Sequence, residues 1–249
     1  MLVGNYQYNH PKVVHLELTA ENTTLQGKEL RIVVASDLHL GVLNDKQHAL
    51  RFVDLINAHR PDIVLLAGDI CDSDLRSIVR QNMNEELQQV KAPLGVYASI
   101  GNHEYIGGDV DACVAYLETG NVKVLRDASI LVDSSFYIVG RDDRSNIERL
   151  PLSELMVATD SSKPRIVLDH QPFHLEEAEE NGVSLQVSGH THDGQFFPIT
   201  LLVRSMYENA HGYSKRGRTH YYVSSGLGLW GPPYRIGSQS ELVVIRWKY

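Results

Sequence analysis

The chain has 249 residues, of which 43% are hydrophobic and 22% charged, and we expect a single globular domain over residues 1–249. Its formal net charge of −8 argues against an extended basic surface for nucleic acid. Two cysteines, Cys71 and Cys113, exclude a disulfide framework and are interpreted as free thiols.

Ten apolar, β-branched runs predict strands, in chain order: Val13–Leu18, Leu30–Ala35, Ile63–Ala67, Leu94–Ile100, Ser129–Val132, Phe136–Val139, Ile166–Leu168, Ser184–Val187, Tyr221–Val223 and Leu242–Trp247. Helical patterns lie between them: Asp45–Arg60, Ser73–Val90, Asp109–Thr119, Pro151–Thr159 and His174–Asn181. Strands and helices alternate at first, and later strands follow more directly. This order predicts two packed β-sheets flanked by helices.

No run of about 18 apolar residues is present, so we expect no membrane-spanning segment. The start lacks the pattern of a signal peptide, which favours a cytoplasmic or membrane-associated protein, although an upstream segment of a longer natural chain would not be visible here. The one basic cluster, Lys215-Arg216-Gly-Arg218, is interpreted as a solvated loop.

Five short segments at the ends of predicted strands hold residues that bind metals: Asp37-Leu-His39, Gly68-Asp69, Gly101-Asn102-His103, Asp169-His170 and Gly189-His190-Thr-His192. Oxygen and nitrogen ligands gathered at strand ends are what a two-metal hydrolytic site needs. Each segment alone has an ordinary explanation, such as a helix N-cap at Asp69 or a turn at Gly101-Asn102. Five such segments together favour a metal site.

The spacing of Asp37 and His39 places both side chains on the same side if the segment is extended, so that they can meet one cation. His190 and His192 repeat this spacing with two imidazoles. Asn102 would add a neutral carbonyl oxygen.

The order of these motifs resembles the calcineurin-like metallophosphoesterase superfamily, whose pattern reads D-x-H, G-D, G-N-H-[DE], H, G-H-x-H. The strings Ser36–His39, Gly189–Gln195 and Val223–Gly228 are similar to a bacterial, membrane-associated branch. The resemblance implies an α/β fold built as a four-layer αββα sandwich of two mixed sheets flanked by helices.

The resemblance further implies two divalent metal ions, Mn, Zn or Fe, and seven ligands in two groups joined by a bridge: Asp37, His39 and His192; Asn102, His170 and His190; and Asp69 between them. His103 would be a general acid beside the leaving oxygen, and Asp72 would orient it. A metal-bridging hydroxide would attack the phosphoester or pyrophosphate in line.

One departure bears on the substrate. Many protein phosphatases of the superfamily carry an Arg after the residue that matches Asp72, and Ser73 stands there instead. Arg76 or Arg144 would have to replace that Arg. The segment Gly140–Arg144 either lines the site or forms a charged turn.

The predicted substrate is a phosphate-ester small molecule or lipid, with apolar-substituted phosphates preferred over phosphopeptides. Leu227, Leu229 and Trp230 either shape a lipid-facing lip or pack a loop. Peripheral membrane association fits this prediction, and no obligate protein partner is indicated. Two alternatives stay open, namely a nuclease with a local basic groove and a non-catalytic interaction module on the same fold.

Overall fold

The computed structural model describes residues 2–21, 23 and 27–249. Its strands, in chain order, are β1 (Lys12–Thr19), β2 (Glu29–Ala35), β3 (Ile63–Ala67), β4 (Val96–Ser99), β5 (Val122–Val124), β6 (Ala128–Val132), β7 (Phe136–Gly140), β8 (Arg165–Leu168), β9 (Leu185–Ser188), β10 (Gly212–Arg216), β11 (Thr219–Val223) and β12 (Glu241–Lys248). Every run predicted as a strand overlaps one of these, which confirms the strand predictions.

The helices are α1 (Leu2–Asn9), α2 (Lys46–Ala58), α3 (Leu75–Arg80), α4 (Asn84–Leu87), α5 (Asn102–Ile106), α6 (Val110–Thr119), α7 (Leu152–Val157), α8 (Leu175–Glu180) and α9 (Ile199–Met206). The segment Ser73–Val90, predicted as one helix, is divided into α3 and α4. The division falls at Asn82, whose left-handed backbone (φ 50°) cannot continue a right-handed helix.

The strands form two mixed six-stranded sheets, in the orders β1-β12-β2-β3-β4-β5 and β10-β11-β9-β8-β7-β6. In the first sheet β2, β3, β4 and β5 run parallel and β12 is antiparallel to β2. In the second, β7, β8, β9 and β11 run parallel, with β6 and β10 antiparallel at the edges.

Three apolar cores hold four layers together. The core between the sheets contains residues of both, including Ile32, Leu65, Ile138 and Val187. A second core joins α2 and α6 to the outer face of the first sheet, and a third joins α7 and α8 to the outer face of the second. The αββα sandwich is therefore confirmed.

The prediction of a solvated loop at the basic cluster is wrong. Lys215 and Arg216 lie in β10, whose hairpin with β11 turns at Gly217. Their charges are paired, because Lys215 Nζ lies 2.7 Å from Glu21 Oε1 and Arg216 contacts Glu208.

Among the residues described, no helix has both the length and the apolar character needed to cross a membrane.

Parallel strands explain where the metal-binding segments meet. Asp37 and His39 follow β2, Asp69 follows β3 and Asn102 follows β4. In the second sheet, His170 follows β8, and His190 and His192 follow β9. The carboxyl ends of parallel strands share one edge of a sheet, and the two sheets bring these edges together.

Candidate metal centre

Five of the seven predicted ligands have a left-handed backbone: Asp37, His39, Asp69, His190 and His192, with φ between 43° and 70°. The route predicted for Asp37 and His39 was therefore wrong, since they do not converge along extended backbone. The strand ends at Ala35, and a strained turn aims both side chains inward. Non-glycine residues in this region cost free energy and cluster at functional sites.

Glycines next to the ligands make room for them. A Cβ atom at Gly101 would collide with the Asp69 carboxylate, and one at Gly189 would collide with the Asp37 carboxylate. These are close approaches that no other residue allows. The Gly-Asn and Gly-His steps in the motifs are therefore requirements of the site geometry.

The first group of donors consists of Asp37, His39 and His192, all buried, with one donor atom from each within 4.8 Å of the others. The Nε2 atoms of His39 and His192 face each other at 3.1 Å, and Asp37 Oδ1 lies 3.2 Å from His192 Nε2. Two imidazole nitrogens at this distance repel unless a proton or cation lies between them. A metal ion fits this arrangement.

The second group consists of Asp69, His170 and His190, again within 4.8 Å, with Asn102 beside it. His190 Nδ1 lies 2.8 Å from Asn102 Oδ1. His170 Nε2 is buried 3.1 Å from Asp69 Oδ2 without forming a hydrogen bond, while its Nδ1 donates to the carbonyl of Ala67 at 2.7 Å. An orphaned, buried ring nitrogen with its other nitrogen fixed is the orientation expected of a metal ligand.

Asp69 lies between the two groups. Its Oδ2 is 3.1 Å from His170 Nε2 in one group and 3.8 Å from His39 Nε2 in the other. Its Oδ1 accepts a hydrogen bond from the backbone N–H of His103 at 2.9 Å. Asp69 is therefore not the N-cap of the helix that follows it, a position taken by Asp74.

The electrostatics of the cluster favour a bound cation. Burial opposes ionisation of Asp69, but His170 and His39 hold the pKa of its carboxyl well below its usual range. Burial also disfavours charge on His170, yet Asp69 and Asp37 raise its pKa well above the ordinary value. The negative potential that draws a proton to His170 would equally attract a divalent metal ion.

Two of the candidate ligands, His190 and His192, have pKa values that keep them neutral. Burial, and then the nearby His170, lower the pKa of His190 to about 4. Burial also lowers the pKa of His192 to about 4, against the pull of Asp37. Because metals bind the neutral imidazole, both rings are in the coordinating form at neutral pH.

His103 lies beside the ligands. Its Nδ1 is 3.1 Å from Asp72 Oδ1, as the resemblance implied, and 3.4 Å from Ser73 Oγ. Burial favours the neutral ring, but hydrogen bonding to Asp72 and the charge of Asp69 raise its pKa above the ordinary value. The paired Nδ1 leaves Nε2 as the ring nitrogen available to a substrate.

Glu104 is a site residue whose role the sequence did not show. Its buried carboxylate accepts the backbone N–H groups of Gly101 at 2.7 Å, Cys71 at 2.9 Å and Asp69 at 3.2 Å. Burial and the charge of Asp69 raise its pKa to about 7. Glu104 thus ties the loop after β3 to the loop after β4. The available signal was an acidic residue three positions after the helix N-cap Gly101.

A family model described as calcineurin-like phosphoesterase matches residues 30–194. The chain belongs to the calcineurin-like phosphoesterases. A metallophosphoesterase of Aquifex aeolicus is 30% identical to this phosphoesterase over 98% of the chain and 96% of its own length.

Other relatives are longer. A metallophosphoesterase of Helicobacter pylori is 33% identical over 88% of this chain, which spans 60% of that relative. A Danio rerio protein named as a transmembrane protein with metallophosphoesterase domain is 32% identical over 94% of this chain and 57% of its own length. The chain thus spans about 60% of the length of several relatives.

Solved structures share the fold at low sequence identity. A 5′-nucleotidase precursor from Thermus thermophilus superposes with a TM-score of 0.52 at 14% identity, covering 88% of this chain and 55% of the other. GAP50, described as the anchor in the inner membrane complex of Plasmodium, gives 0.52 at 13% identity, covering 88% and 80%. These similarities support the fold.

A cleft of about 310 Å³ opens over the candidate ligands, and one of its walls is apolar. Asp69, His103 and His190 line the floor, and the apolar wall is formed by Ile199, Val203, Met206, Tyr207 and Trp230. Most of this wall comes from α9, where Thr200 is the buried residue. Leu201 and Leu202 of α9 are 60% and 59% exposed.

The two alternatives for Leu227, Leu229 and Trp230 are each met by some of these residues. Trp230 is at the cleft and 45% exposed, but Leu227 and Leu229 are fully buried and pack the loop. Fully buried Arg235 holds that loop by donating from Nη2 to the carbonyls of Gly228 at 2.6 Å and Gly226 at 3.2 Å.

Asp193, the residue after His192, lies in a left-handed turn (φ 47°). It also anchors α9, since its carboxylate accepts two hydrogen bonds of 2.9 Å from Arg204. The apolar wall is therefore fixed to the loop that carries His192.

The charged residues of the Gly140–Arg144 segment have different contacts. Asp142 accepts from Tyr105 Oη at 2.8 Å, and Asp143 accepts from Gln171 Nε2 at 3.0 Å, so both brace neighbouring loops. Arg144 instead lies over the ring of Phe173, with Cζ 4.6 Å from the centroid. Arg76, the other proposed substitute for the missing Arg, is bound to Asp74 and exposed.

The cysteines are free, as predicted, and buried. Their Sγ atoms lie 2.7 Å apart beside Glu104. They pack behind the loop that carries Asp69 and do not line the cleft.

Proposed function

We propose that the chain is a two-metal phosphoester hydrolase. The observation that supports this most directly is the pair of donor groups at the floor of an open cleft, with Asp69 in contact with His170 of one and His39 of the other. One metal would be held by Asp37, His39 and His192, the other by Asn102, His170 and His190, with Asp69 as the bridge. The mixture of oxygen and nitrogen donors suits Mn²⁺, Fe or Zn²⁺.

Two bound cations would polarise the phosphoryl oxygens and lower the pKa of a water molecule towards neutrality. The chain contributes the remaining groups. Asp37 and Asp69 supply the negative charge that holds the metals, and the strained turns fix their direction before substrate arrives. His103, oriented by Asp72, would donate a proton from Nε2 to the leaving oxygen.

We infer that the substrate carries an apolar group next to its phosphoester. The cleft places Ile199, Val203 and Met206 directly beside the metal-binding floor. Tyr207 and Trp230 complete the same apolar wall. A phosphopeptide would leave this wall in contact with water or polar groups, whereas an alkyl or acyl chain would cover it.

A substrate panel tests this function. With Mn²⁺, Zn²⁺ or Mg²⁺ added, we expect kcat/KM for alkyl phosphates to rise with chain length, by up to about fourfold for each buried methylene. Phosphopeptides should be poor substrates, and chelation of the metal should stop all turnover. Equal turnover of alkyl phosphates and phosphopeptides would contradict the apolar preference, and no turnover of any phosphoester would contradict the enzyme assignment.

We further propose that the exposed face of α9 docks on a lipid surface. Leu201 and Leu202 continue the apolar wall of the cleft outward, and Phe197 beside them is 62% exposed. Arg204 is neutralised by Asp193, so the attraction would be apolar rather than electrostatic. The site would then open towards lipid-linked substrates.

Vesicle sedimentation tests the docking surface. Leu201→Ser combined with Leu202→Ser should weaken binding to uncharged phosphatidylcholine vesicles by about tenfold or more, because two leucine side chains lose their burial. The matched control is Leu131→Ser with Val157→Ser, two exposed residues of β6 and α7 that do not line the cleft. Equal loss in both double variants, or no binding by the unmodified chain, would refute the proposal.

A further inference from the structure

A second cleft, of about 400 Å³, lies beside the candidate metal centre and carries three arginines. Arg141, Arg144 and Arg149 line it together with Phe173 and His174. The loops after β7 and β8 form this cleft, and the loop after β8 also carries His170. The proposed hydrolysis does not use this cleft.

Two of the three guanidinium groups are already paired. Arg141 Nη1 donates to Asp169 Oδ2 at 3.0 Å and to Glu177 Oε2 at 2.8 Å. Arg149 Nη2 donates to the same Asp169 oxygen at 2.6 Å. Three positive charges thus face two carboxylates, and the cluster keeps an excess of positive charge.

Arg144 carries that excess. Within residues 2–21, 23 and 27–249 no carboxylate lies within 4.0 Å of its guanidinium, and the side chain is exposed. Its cation–π contact with Phe173 holds the group in place without neutralising it. A fixed, solvent-accessible guanidinium of this kind suits an anionic oxygen ligand.

Two aromatic rings connect Arg144 to the metal centre. Phe173 lies 4.8 Å from Tyr207 between ring centroids, and Tyr207 lies 6.2 Å from His190. Tyr207 lines the cleft over the metal ligands, while Phe173 lines the arginine cleft. A substrate could therefore cross this pair of rings and reach both clefts.

We propose that Arg144 forms a distal subsite for a second anionic group, phosphate or carboxylate, on the same substrate whose phosphoester lies at the metal centre. This inference rests on the proposed function. It places the substrate class among phosphoesters with two anionic groups, and it makes Arg144 a specificity-determining residue.

The test compares substrates of equal chain length. Alkyl phosphates carry no second anion, α,ω-alkanediol bisphosphates carry a second phosphate, and ω-carboxyalkyl phosphates carry a carboxylate. For the metal-loaded enzyme, we divide kcat/KM of each substrate with two anionic groups by kcat/KM of the alkyl phosphate of the same length. We expect this ratio to reach a maximum at the chain length at which the second anion reaches Arg144. The bisphosphate and carboxylate series separate the two anion types.

Arg144→Gln keeps a planar group over Phe173 and removes the charge. We expect it to lower that ratio by about tenfold, equal to about 1.4 kcal/mol, mainly through KM. Rising salt should lower the ratio for the unmodified enzyme and not for the variant. Arg76→Gln is the matched control, since Arg76 is also exposed and already bound to Asp74, and its ratio should not change.

Isothermal titration with the α,ω-alkanediphosphonate of the preferred chain length, which cannot be hydrolysed, gives a readout independent of turnover, and Arg144→Gln should weaken that binding by a similar factor. If the enzyme hydrolyses alkyl phosphates and the ratio is unchanged in Arg144→Gln, or changed equally in Arg76→Gln, the distal subsite is wrong. If no phosphoester is hydrolysed, the proposed function itself fails.

Discussion

Replacing Asp69 by Asn should reduce metal-dependent hydrolysis by about a thousandfold or more, because both metal sites lose their shared carboxylate. A reduction of this size corresponds to several kcal/mol of transition-state stabilisation, which is what metal ions supply in such sites. The amide keeps the shape of the side chain and its hydrogen bond with the backbone of His103. The loss would therefore reflect charge and coordination.

Metal content and thermal stability provide separate measurements for Asp69→Asn. The unmodified protein should bind two equivalents of Mn²⁺ or Zn²⁺, and its Tm should rise with metal concentration. The variant should bind less metal and show a smaller rise. Asp54→Asn, at an exposed position of α2, is the control and should behave like the unmodified protein. Full activity or unchanged metal content in Asp69→Asn would refute the bridge.

The strands and the residues at their ends could be predicted because both signals are local. A continuous apolar run such as Ile63–Ala67 predicts a buried parallel strand, and the polar residue that follows it must lie at the sheet edge. The grouping of the donors could not be derived in this way. Whether His192 lies with His39 or with His170 depends on left-handed turns, and the sequence carries no direct signal for these.

Helix α9 shows a different limit. Its eight residues are mostly apolar, yet only Thr200 is buried, so the helix does not follow the usual relation between an apolar face and a core. Such a segment is easily taken for part of a loop or a short buried run. Its place beside the cleft depends on the hydrogen bonds between Arg204 and Asp193, which join α9 to the loop after β9 and have no local signal in the sequence.

The apolar wall and the arginine cleft suggest how substrate is selected without the Arg that is missing after Asp72. Ser73, which stands where that Arg would be, lies 3.4 Å from His103 Nδ1, and Arg76 is bound to Asp74. The apolar wall of α9 and the arginine cleft at Arg144 flank the ligands through Tyr207. Substrate selection in this chain is therefore expected to come from residues outside the five motifs.

His103→Asn should lower kcat by roughly 10²- to 10⁴-fold, the range typical of a lost general acid, while metal content stays unchanged. His103 is not among the proposed ligands, and its ring is held by Asp72 through Nδ1 at 3.1 Å. The backbone N–H that binds Asp69 is retained in the variant. The variant removes the ring nitrogen that would donate a proton to the leaving oxygen, together with the ring's contacts with Asp72 and His39.

The leaving group separates this role from a structural one. A p-nitrophenolate departs without a proton, so p-nitrophenyl phosphate should lose much less activity in His103→Asn than an alkyl phosphate, whose alkoxide needs protonation. His10→Asn, at an exposed histidine that stacks on Tyr6, is the control and should affect neither substrate. Equal losses for both leaving groups would mean that His103 stabilises the site or the bound phosphate, and that the proton comes from elsewhere.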